Sequence, residues 1–494
     1  MKLQELLNDS KIILPEEIQD LEITQLDFDS RHVIDGSIFF CRDGLVVDGH
    51  DFVDKAIENG AKCIIHSKEI ENKQKGIVYL KVDDVLKYLN MMAKTFYHDA
   101  IDDLYAIGIT GTNGKTTIGN IIHQILSNYM PCGYIGTLGA KYGDIQSQPT
   151  LTTPDAIELH QTFELMKQAG MKAVALEASS QGLAQSRCDS VKFKQAIFTN
   201  LTYDHMDYHV TVENYLQSKK RLFDLLDEDG IAIINIDDEK AMDIVEGCKG
   251  KIITYGMMND ATYKAEDVVS GVEDSTFTLV YQERKIFVRT NLIARYNIYN
   301  LLAAIASMHQ AGMPLEAILE RVNCISQIEG RMESIEEGQN FRVYVDFAHT
   351  PDGLEKVFTY AKSITPVENR IIAVFGSAGK RDIDKRKIFG ELADLYCDHI
   401  ILTEDDPRNE DPKAIAVQIQ EGIKQKPCIF IENRYDAIRA ALDLANPNDC
   451  VLLLGKGDES FLYREFGKEA WLGDDKAARH IIQKYILNEN MENN

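Results

Sequence analysis

No run of roughly 18 consecutive apolar residues occurs anywhere in this chain of 494, so a membrane-spanning helix is not expected. The opening Met1-Lys2-Leu3-Gln4-Glu5-Leu6-Leu7 lacks the apolar core of a secretory signal, which points to the cytoplasm. Positive charge is scarce: 53 Lys and Arg stand against 78 Asp and Glu, a formal net charge of −25. Such a surface repels the phosphates of nucleic acids and anionic lipids, so neither is an expected partner. Nine cysteines are scattered without one Cys-x-x-Cys pair, which argues for reduced thiols and against structural zinc or a disulfide framework. No repeat of solenoid period is present, and compositional bias is confined to the terminal Asn488-Glu489-Asn490-Met491-Glu492-Asn493-Asn494.

What is present is the composition of an ordinary soluble protein, 45% hydrophobic and 27% charged. At about 150 residues per domain, the length suggests three. Residues 1–102 carry short strand candidates, Ser37–Cys41 and Cys63–His66, of a small α/β unit. Residues 103–333 alternate strand and helix patterns, with apolar runs at Leu104–Ile109, Ala173–Glu177, Gln195–Thr199 and Gly230–Asn235. Residues 334–494 repeat the pattern at Val343–Asp346, Ile371–Gly376, His399–Thr403 and Cys450–Gly455. Short apolar runs of this kind are parallel strands buried on both faces. The predicted fold class is therefore α/β: a central P-loop ATPase-like parallel sheet between a small N-terminal α/β domain and a C-terminal Rossmann-like domain. Ligands in such sheets bind at the carboxyl ends of the strands.

Gly111-Thr112-Asn113-Gly114-Lys115-Thr116-Thr117 joins the strand Leu104–Ile109 to a helical pattern over Thr117–Leu126. Strand, glycine turn and helix in this order make a phosphate loop: backbone N–H groups surround the phosphates, Lys115 reaches them as a point charge, and Thr116 can ligate Mg²⁺. The general G-x-x-x-x-G-K spacing would need glycine at 109, where Ile109 stands. Farther on, Glu177 closes one strand, Asn200–His209 follows another, and Lys219 lies on the next helix. A carboxylate and an imidazole at strand ends could complete a Mg²⁺ shell begun by Thr116.

These segments, with Leu151-Thr152-Thr153-Pro154, Glu177-Ala178-Ser179-Ser180, Asn297-Ile298-Tyr299-Asn300, Gly330-Arg331-Met332-Glu333 and Asp346-Phe347-Ala348-His349-Thr350-Pro351-Asp352, resemble the Mur ligase family over nearly the whole chain. Asp29-Ser30-Arg31, Gly379-Lys380-Arg381-Asp382, Asp405-Asp406-Pro407-Arg408 and Gly455-Lys456-Gly457-Asp458-Glu459 resemble its MurE-type branch. That resemblance implies ATP-dependent addition of a diamino acid to UDP-N-acetylmuramoyl-L-alanyl-D-glutamate in cell-wall synthesis, through an acyl phosphate. It implies Lys115, His205 and Lys219 as catalytic residues, and Gly111, Thr112, Asn113, Gly114, Lys115, Thr116, Thr117, Asn297 and Arg331 as the ATP site. Thr116, Glu177, His205 and Lys219, the last as a carbamate, are the implied Mg²⁺ ligands. Ser30, Thr152, Thr153, Ser179, Gln185 and Arg187 match the UDP-substrate positions. Arg381, Asp405, Asp406, Arg408, Gly455 and Glu459 match the amino-acid pocket. A monomer is expected.

The chain departs from the family pattern at Leu151 for Asn, Gln181 for His, Ala294 for Gly and Phe347 for Tyr. The identity of the amino acid stays open. Arg408 and Arg381 suit the distal carboxylate of meso-2,6-diaminopimelate, the favoured substrate, whereas Asp406 is a feature of L-lysine enzymes and would ease lysine in if it neutralised Arg408. The rivals are a sister ligase of the folylpolyglutamate or D-alanyl-D-alanine-adding type, a P-loop kinase or GTPase, and a non-catalytic Mur-like binding protein. The last should have lost Lys115, His205 or Lys219, all retained here.

Overall fold

The computed structural model describes residues 1–10, 12–44, 47–148 and 150–486; the biased tail Asn488–Asn494 lies outside the described residues. Three main sheets follow one another along the chain. The first has four parallel strands in the order Gln25–Asp27, Ser37–Phe40, Ala61–His66 and Val78–Lys81. Its core joins Ile38, Phe40, Cys63 and Ile65 to the helix Val85–Phe96 through Leu89 and Met92.

The second sheet has eleven strands and carries the phosphate loop. Tyr105–Thr110 lies well inside it, flanked on one side by Phe193–Phe198 and on the other by Ala173–Glu177, both parallel to it. Successive residues of Tyr105–Thr110 serve opposite layers: Ile107 and Ile109 pack with the helices Lys115–Leu126 and Arg295–Gln310, and Ala106 packs with Leu176, Phe198 and Leu222 on the other face. Burial on both faces explains the unbroken apolar run in the sequence. Each edge of this sheet turns antiparallel, through Tyr263–Ser270, Ser275–Tyr281 and Arg284–Thr290 at one side and through Cys132–Gly136, Gly139–Tyr142 and Ile145–Gln146 at the other.

The third sheet orders six strands as Glu333–Ser334, Arg342–Asp346, Cys450–Leu454, Ile371–Phe375, His399–Leu402 and Cys428–Phe430. All but the first pair in parallel. Val343, Val345, Ile372, Val374, Val451 and Leu453 face one helical layer, and Tyr344, Ala373, Phe375, Leu452 and Leu454 face the other. All nine cysteines are free thiols. Among the described residues no helix is long and apolar enough to cross a membrane.

Ala294 and Val210 carry side chains at positive φ next to helix ends. Ala294, which stands where the family pattern has glycine, caps the buried helix Arg295–Gln310 at φ 69°, ψ 136°, a conformation that glycine adopts without strain. Val210 follows the short helix Met206–His209 at φ 68°, ψ −41°, and the Thr211 N–H reaches back to the His209 carbonyl at 2.8 Å. A β-branched residue thus sits at the centre of a γ-turn of the rare, strained hand.

Candidate active site

Three neighbouring strands of the second sheet deliver their carboxyl ends to one edge: Tyr105–Thr110 brings the phosphate loop, Ala173–Glu177 brings Glu177, and Phe193–Phe198 brings the segment from Thr199 to His205. The loop turns at Gly111 and Gly114, with φ of 147° and 94°. A Cβ on Gly111 would lie 1.8 Å from Thr199 Oγ1, so the neighbouring strand end can approach only a glycine. That approach clamps the loop. Thr199 donates to the Asn113 carbonyl at 2.7 Å, the Asn113 N–H donates to Asn200 Oδ1 at 3.0 Å, and the Thr202 N–H donates to Thr112 Oγ1 at 3.0 Å.

The helix begins at Lys115, so its N-terminal amides and positive end face a cavity of about 310 Å³. Lys115, Thr116, Thr117, Thr152, Glu177, Ser179, His205, Asn297 and Arg331 all line it, together with Asp346 and His349 from the third sheet. The Lys115 ammonium donates to the carbonyls of Gly111 and Thr112 at 2.9 and 3.0 Å. Burial pushes Lys115 below the usual lysine range, opposed by Glu177 and Asp204. An anion placed in the cavity would oppose that shift.

Glu177 is fully buried and accepts hydrogen bonds from Tyr134 Oη, Thr116 Oγ1 at 3.1 Å, and the N–H and Oγ1 of Thr137 at 3.2 Å each. The charges of Lys115 and Arg331 act on it from nearby, and with the Thr116 hydroxyl it supplies the oxygen donors that a hard divalent ion takes. His205, at φ 56°, lies 3.4 Å from Asp204; burial lowers it to about 4, so it is neutral and able to ligate.

Lys219 lies behind the cavity wall, 1% exposed, with its amine 4.2 Å above the Tyr215 ring. Burial first, and then the Lys115 charge, push it well below the usual lysine range. An uncharged buried amine is the form that condenses with carbon dioxide, so Lys219 fits the carbamate expected of it. Lys220 instead reaches Glu246 on the surface.

Arg331 arrives from the start of the third sheet. It donates to Asp458 and to the Gly330 carbonyl, each at 2.9 Å, lies 4.6 Å over the Phe347 ring, and approaches Thr116 Oγ1 at 3.5 Å. Asn113 bridges in the opposite direction to Asp352 at 2.8 Å. A larger cavity of about 720 Å³ adjoins, sharing Asn113, Gly114, Tyr296, Asn300 and Lys356 with the first; its wall includes Tyr299, Tyr360 and Asp237. Its volume and aromatic wall suit a nucleoside. Asn297 faces the smaller cavity and accepts from Asn300 at 2.9 Å.

The residues matched to the UDP substrate divide. Thr153 donates to the Glu177 carbonyl at 2.8 Å and lies 2.9 Å from Ser179 Oγ, which caps the helix Ser180–Ala184. Arg187 donates to the Thr153 carbonyl at 2.6 Å and to Gln185 at 2.7 Å, leaving its Nε buried without a partner. Ser30 stands apart, buried beside the first sheet, and lines neither the phosphate cavity nor the amino-acid pocket.

That pocket, of about 210 Å³, is lined by Arg381, Asp405, Asp406, Arg408, Gly455 and Glu459, all six expected residues, and meets the phosphate cavity at Asp204, His205, Phe347, His349 and Glu459. Asp406 does not neutralise Arg408. Its Oδ1 accepts from Lys456 at 2.7 Å, whereas Arg408 donates to the Gly379 carbonyl at 2.7 Å and lies 5.4 Å from the Tyr463 ring centre. Arg381 pairs with Asp207 at 2.9 Å. Tyr134, Asp204, Lys456 and Asp458 are site residues that motif spacing alone did not single out; Asp204, Lys456 and Asp458 lay inside quoted motifs, but Tyr134 carried no signal.

Family models match three stretches: Mur ligase family, catalytic domain, over residues 22–97; Mur ligase middle domain over 109–308; and Mur ligase, glutamate ligase domain, over 330–457. The UDP-N-acetylmuramoyl-L-alanyl-D-glutamate–2,6-diaminopimelate ligase 1 of Clostridium acetobutylicum is 37% identical over 489 residues, covering 98% of this chain and 99% of that protein. The corresponding ligase of Alkaliphilus metalliredigens is 36% identical over 496 residues, with 99% of each covered. A solved structure of a ligase of the same name is 30% identical and superposes with a TM-score of 0.69, covering 98% of this chain and 99% of the other. With the site geometry and full-length similarity in agreement, the chain belongs to the Mur ligase family.

Proposed function

We propose that this chain is an ATP-dependent ligase that joins meso-2,6-diaminopimelate to the D-glutamate carboxylate of UDP-N-acetylmuramoyl-L-alanyl-D-glutamate, a step in assembling the bacterial cell-wall precursor. The observation that carries the proposal is the shared wall between the phosphate cavity, with Lys115 and Arg331, and the amino-acid pocket, with Arg408 and Glu459. A carboxylate is a poor acylating agent. Phosphorylating it in the first cavity and offering an amine from the second overcomes that.

The loop amides, Lys115 and Arg331 hold the ATP phosphates and spread the charge of the transferring phosphoryl group. Thr116, Glu177, His205 and carbamylated Lys219 would hold Mg²⁺, which when bound supplies further charge neutralisation. Thr152, Thr153, Ser179, Gln185 and Arg187 orient the UDP substrate so that its carboxylate meets the γ-phosphorus, with Ser30 at the far, nucleotide end. The carboxylate oxygen bonds to phosphorus, ADP leaves, the amine attacks the acyl carbon, and phosphate departs from the tetrahedral intermediate. Arg408 and Arg381 take the distal carboxylate of diaminopimelate and Glu459 its distal ammonium.

Domain boundaries near residues 102 and 333 assign UDP-sugar binding to 1–102, ATP chemistry to 103–333 and amino-acid binding to 334–494. Closure of the last on the second brings Arg331 to the phosphates. We place the enzyme in the cytoplasm as a monomer. An omission assay tests the proposal: ADP release should require ATP, Mg²⁺, the UDP-linked dipeptide and diaminopimelate together. Release without the UDP substrate, or none with all four, would overturn it.

A further inference from the structure

A fourth cavity, of about 550 Å³, lies between the segments that flank the hairpin Gly139–Gln146, with Thr137 and Thr152 in its wall, and the hairpin Phe461–Ala470. The phosphate cavity, the amino-acid pocket and this cavity have one lining residue in common, Glu459. Its carboxylate is held from behind. Lys456, three residues earlier in the same turn, has a fully buried side chain and donates both to Glu459 and, at 2.7 Å, to Asp406 Oδ1. Asp406 Oδ1 also accepts the Tyr463 N–H at 2.9 Å. One ammonium therefore ties together the turn after Cys450–Leu454, the turn after His399–Leu402 and the hairpin that starts at Phe461. Glycines make this approach possible: a Cβ on Gly455, at φ 105°, would lie 2.6 Å from Asp405 Oδ2, and one on Gly457, at φ 51°, would lie 2.9 Å from Phe347 Cβ.

Three carboxyl groups, Asp405, Asp406 and Glu459, surround Lys456, which bonds to the last two; the nearby Arg434, bonded to Asp474 at 2.7 Å and to the Leu454 carbonyl at 2.8 Å, acts on Asp405 and Asp406 only through its charge. Arg408 is bonded to a backbone carbonyl and keeps its positive charge for a ligand. Taking the ligase proposal above as the premise, we infer that Lys456 is a positioning residue, the internal counter-ion of the amino-acid pocket. It neutralises Asp406 and fixes Glu459, which leaves Arg408 for a carboxylate and Glu459 for an ammonium. An aspartate at position 406 is then compatible with a diamino acid that carries a second carboxylate.

Burial raises Glu459 to about 7, Lys456 opposes that rise, and Asp406 and Asp405 add to it; Asp204, His205, His349 and Arg331 share the phosphate cavity with it, Arg381 and Arg408 the amino-acid pocket, and Glu329, Asp458, Lys468 of the hairpin and Lys476 of the helix Asp474–Ile481 the remaining cavity. Removing Lys456 shifts Glu459 further up, so capture of an ammonium should demand a higher pH.

The test is steady-state kinetics with ATP, the UDP-linked dipeptide, and diaminopimelate or lysine. Lys456→Met should raise KM for diaminopimelate about tenfold or more, hold KM for ATP within about threefold, and move the acid limb of kcat/KM for diaminopimelate to higher pH. Lys456→Arg, which keeps the charge but not the compact geometry, should raise KM less and leave the limb in place. Asp406→Asn should lower kcat/KM for both amino acids in proportion. Parallel rises in KM for ATP and diaminopimelate in Lys456→Met would mean a merely structural lysine and overturn the inference. So would a rise of about tenfold in the diaminopimelate-to-lysine ratio in Asp406→Asn, which would mean that Asp406 opposes Arg408 after all. If Lys456→Met does not fold, the limb in Lys456→Arg and the ratio in Asp406→Asn decide. Wild-type enzyme that releases ADP with neither amino acid would instead sink the ligase proposal, and that is read before any variant.

Discussion

Lys219 and Lys220 are adjacent on one helix in different environments, and alanine at each separates a buried amine in contact with Tyr215 from one that pairs with a surface carboxylate. Lys219 is 1% exposed, and burial first, then the Lys115 charge, push its amine well below the usual lysine range, towards the uncharged form. In that state its nitrogen can bond to the carbon of carbon dioxide and lose a proton, which leaves a carbamate anion where a cation would repel Mg²⁺. On the proposed carbamate, Lys219→Ala removes an anion from a site preorganised around transferring phosphate. Loss of one preorganised charge-stabilising group typically lowers kcat by about 10²–10³, or about 2.7–4 kcal/mol of barrier. Lys220 meets Glu246, whose side chain is 82% exposed, so Lys220→Ala should leave kcat within about twofold. Coupled ADP release at saturating substrate measures both, with circular dichroism to confirm the fold. Formate or acetate should partly restore Lys219→Ala by occupying the vacated volume with a carboxylate. A Lys219→Ala enzyme within about twofold of wild type, or one less impaired than Lys220→Ala, would refute the reasoning.

Val210→Gly should stabilise the protein: relief of about 1–3 kcal/mol of backbone strain outweighs the extra chain entropy of glycine, so thermal scanning should show Tm higher by roughly 1–5 °C, and a lower Tm would contradict the strain assignment. His160, buried against Ser190 at 2.6 Å, is lowered to about 3 by burial. It stays neutral in the folded state while the unfolded state takes up a proton below about 6.5, so stability should fall as pH drops from about 6.5 towards 3, by at most about 1.4 kcal/mol per pH unit from this residue. His160→Gln should flatten that slope in urea titrations at successive pH values. Arg408→Ala should lower kcat/KM for diaminopimelate by about 10²-fold or more and leave lysine nearly unaffected, since only the former offers a carboxylate; equal losses would remove Arg408 from the specificity role.

The interior strands were legible because burial on both faces leaves short apolar runs: Ala173–Glu177 stands where the sequence placed it, and Tyr105–Thr110 lies within a residue of it. The meander Tyr263–Thr290 was not. Its strands form an edge of the sheet with charged residues among the apolar ones, as in Tyr263–Ser270 and Arg284–Thr290, and its turn puts Gln282 and Glu283 at φ 48° and 64°, positions usually marked by asparagine or glycine. The same division holds in the site. Lys115, Thr116 and Glu177 announce themselves by position at strand ends, whereas Tyr134, which holds Glu177, and Asp458, which holds Arg331, act through contacts across 43 and 127 residues. Whether Asp406 faced Arg408 or Lys456 was undecidable from the linear order, because the two partners lie on different turns brought together only by the third sheet.

The central claim is that the amino-acid pocket is built for a diamino acid with a second carboxylate. Competition measures this most directly: enzyme, ATP, Mg²⁺ and UDP-N-acetylmuramoyl-L-alanyl-D-glutamate with equimolar meso-2,6-diaminopimelate and L-lysine, the two products separated and weighed by mass spectrometry. A site built around a polar group can reject an analogue lacking it by up to roughly 10⁴-fold, so the diaminopimelate product should predominate overwhelmingly. Equal amounts of the two products, or an excess of the lysine product, would contradict the claim.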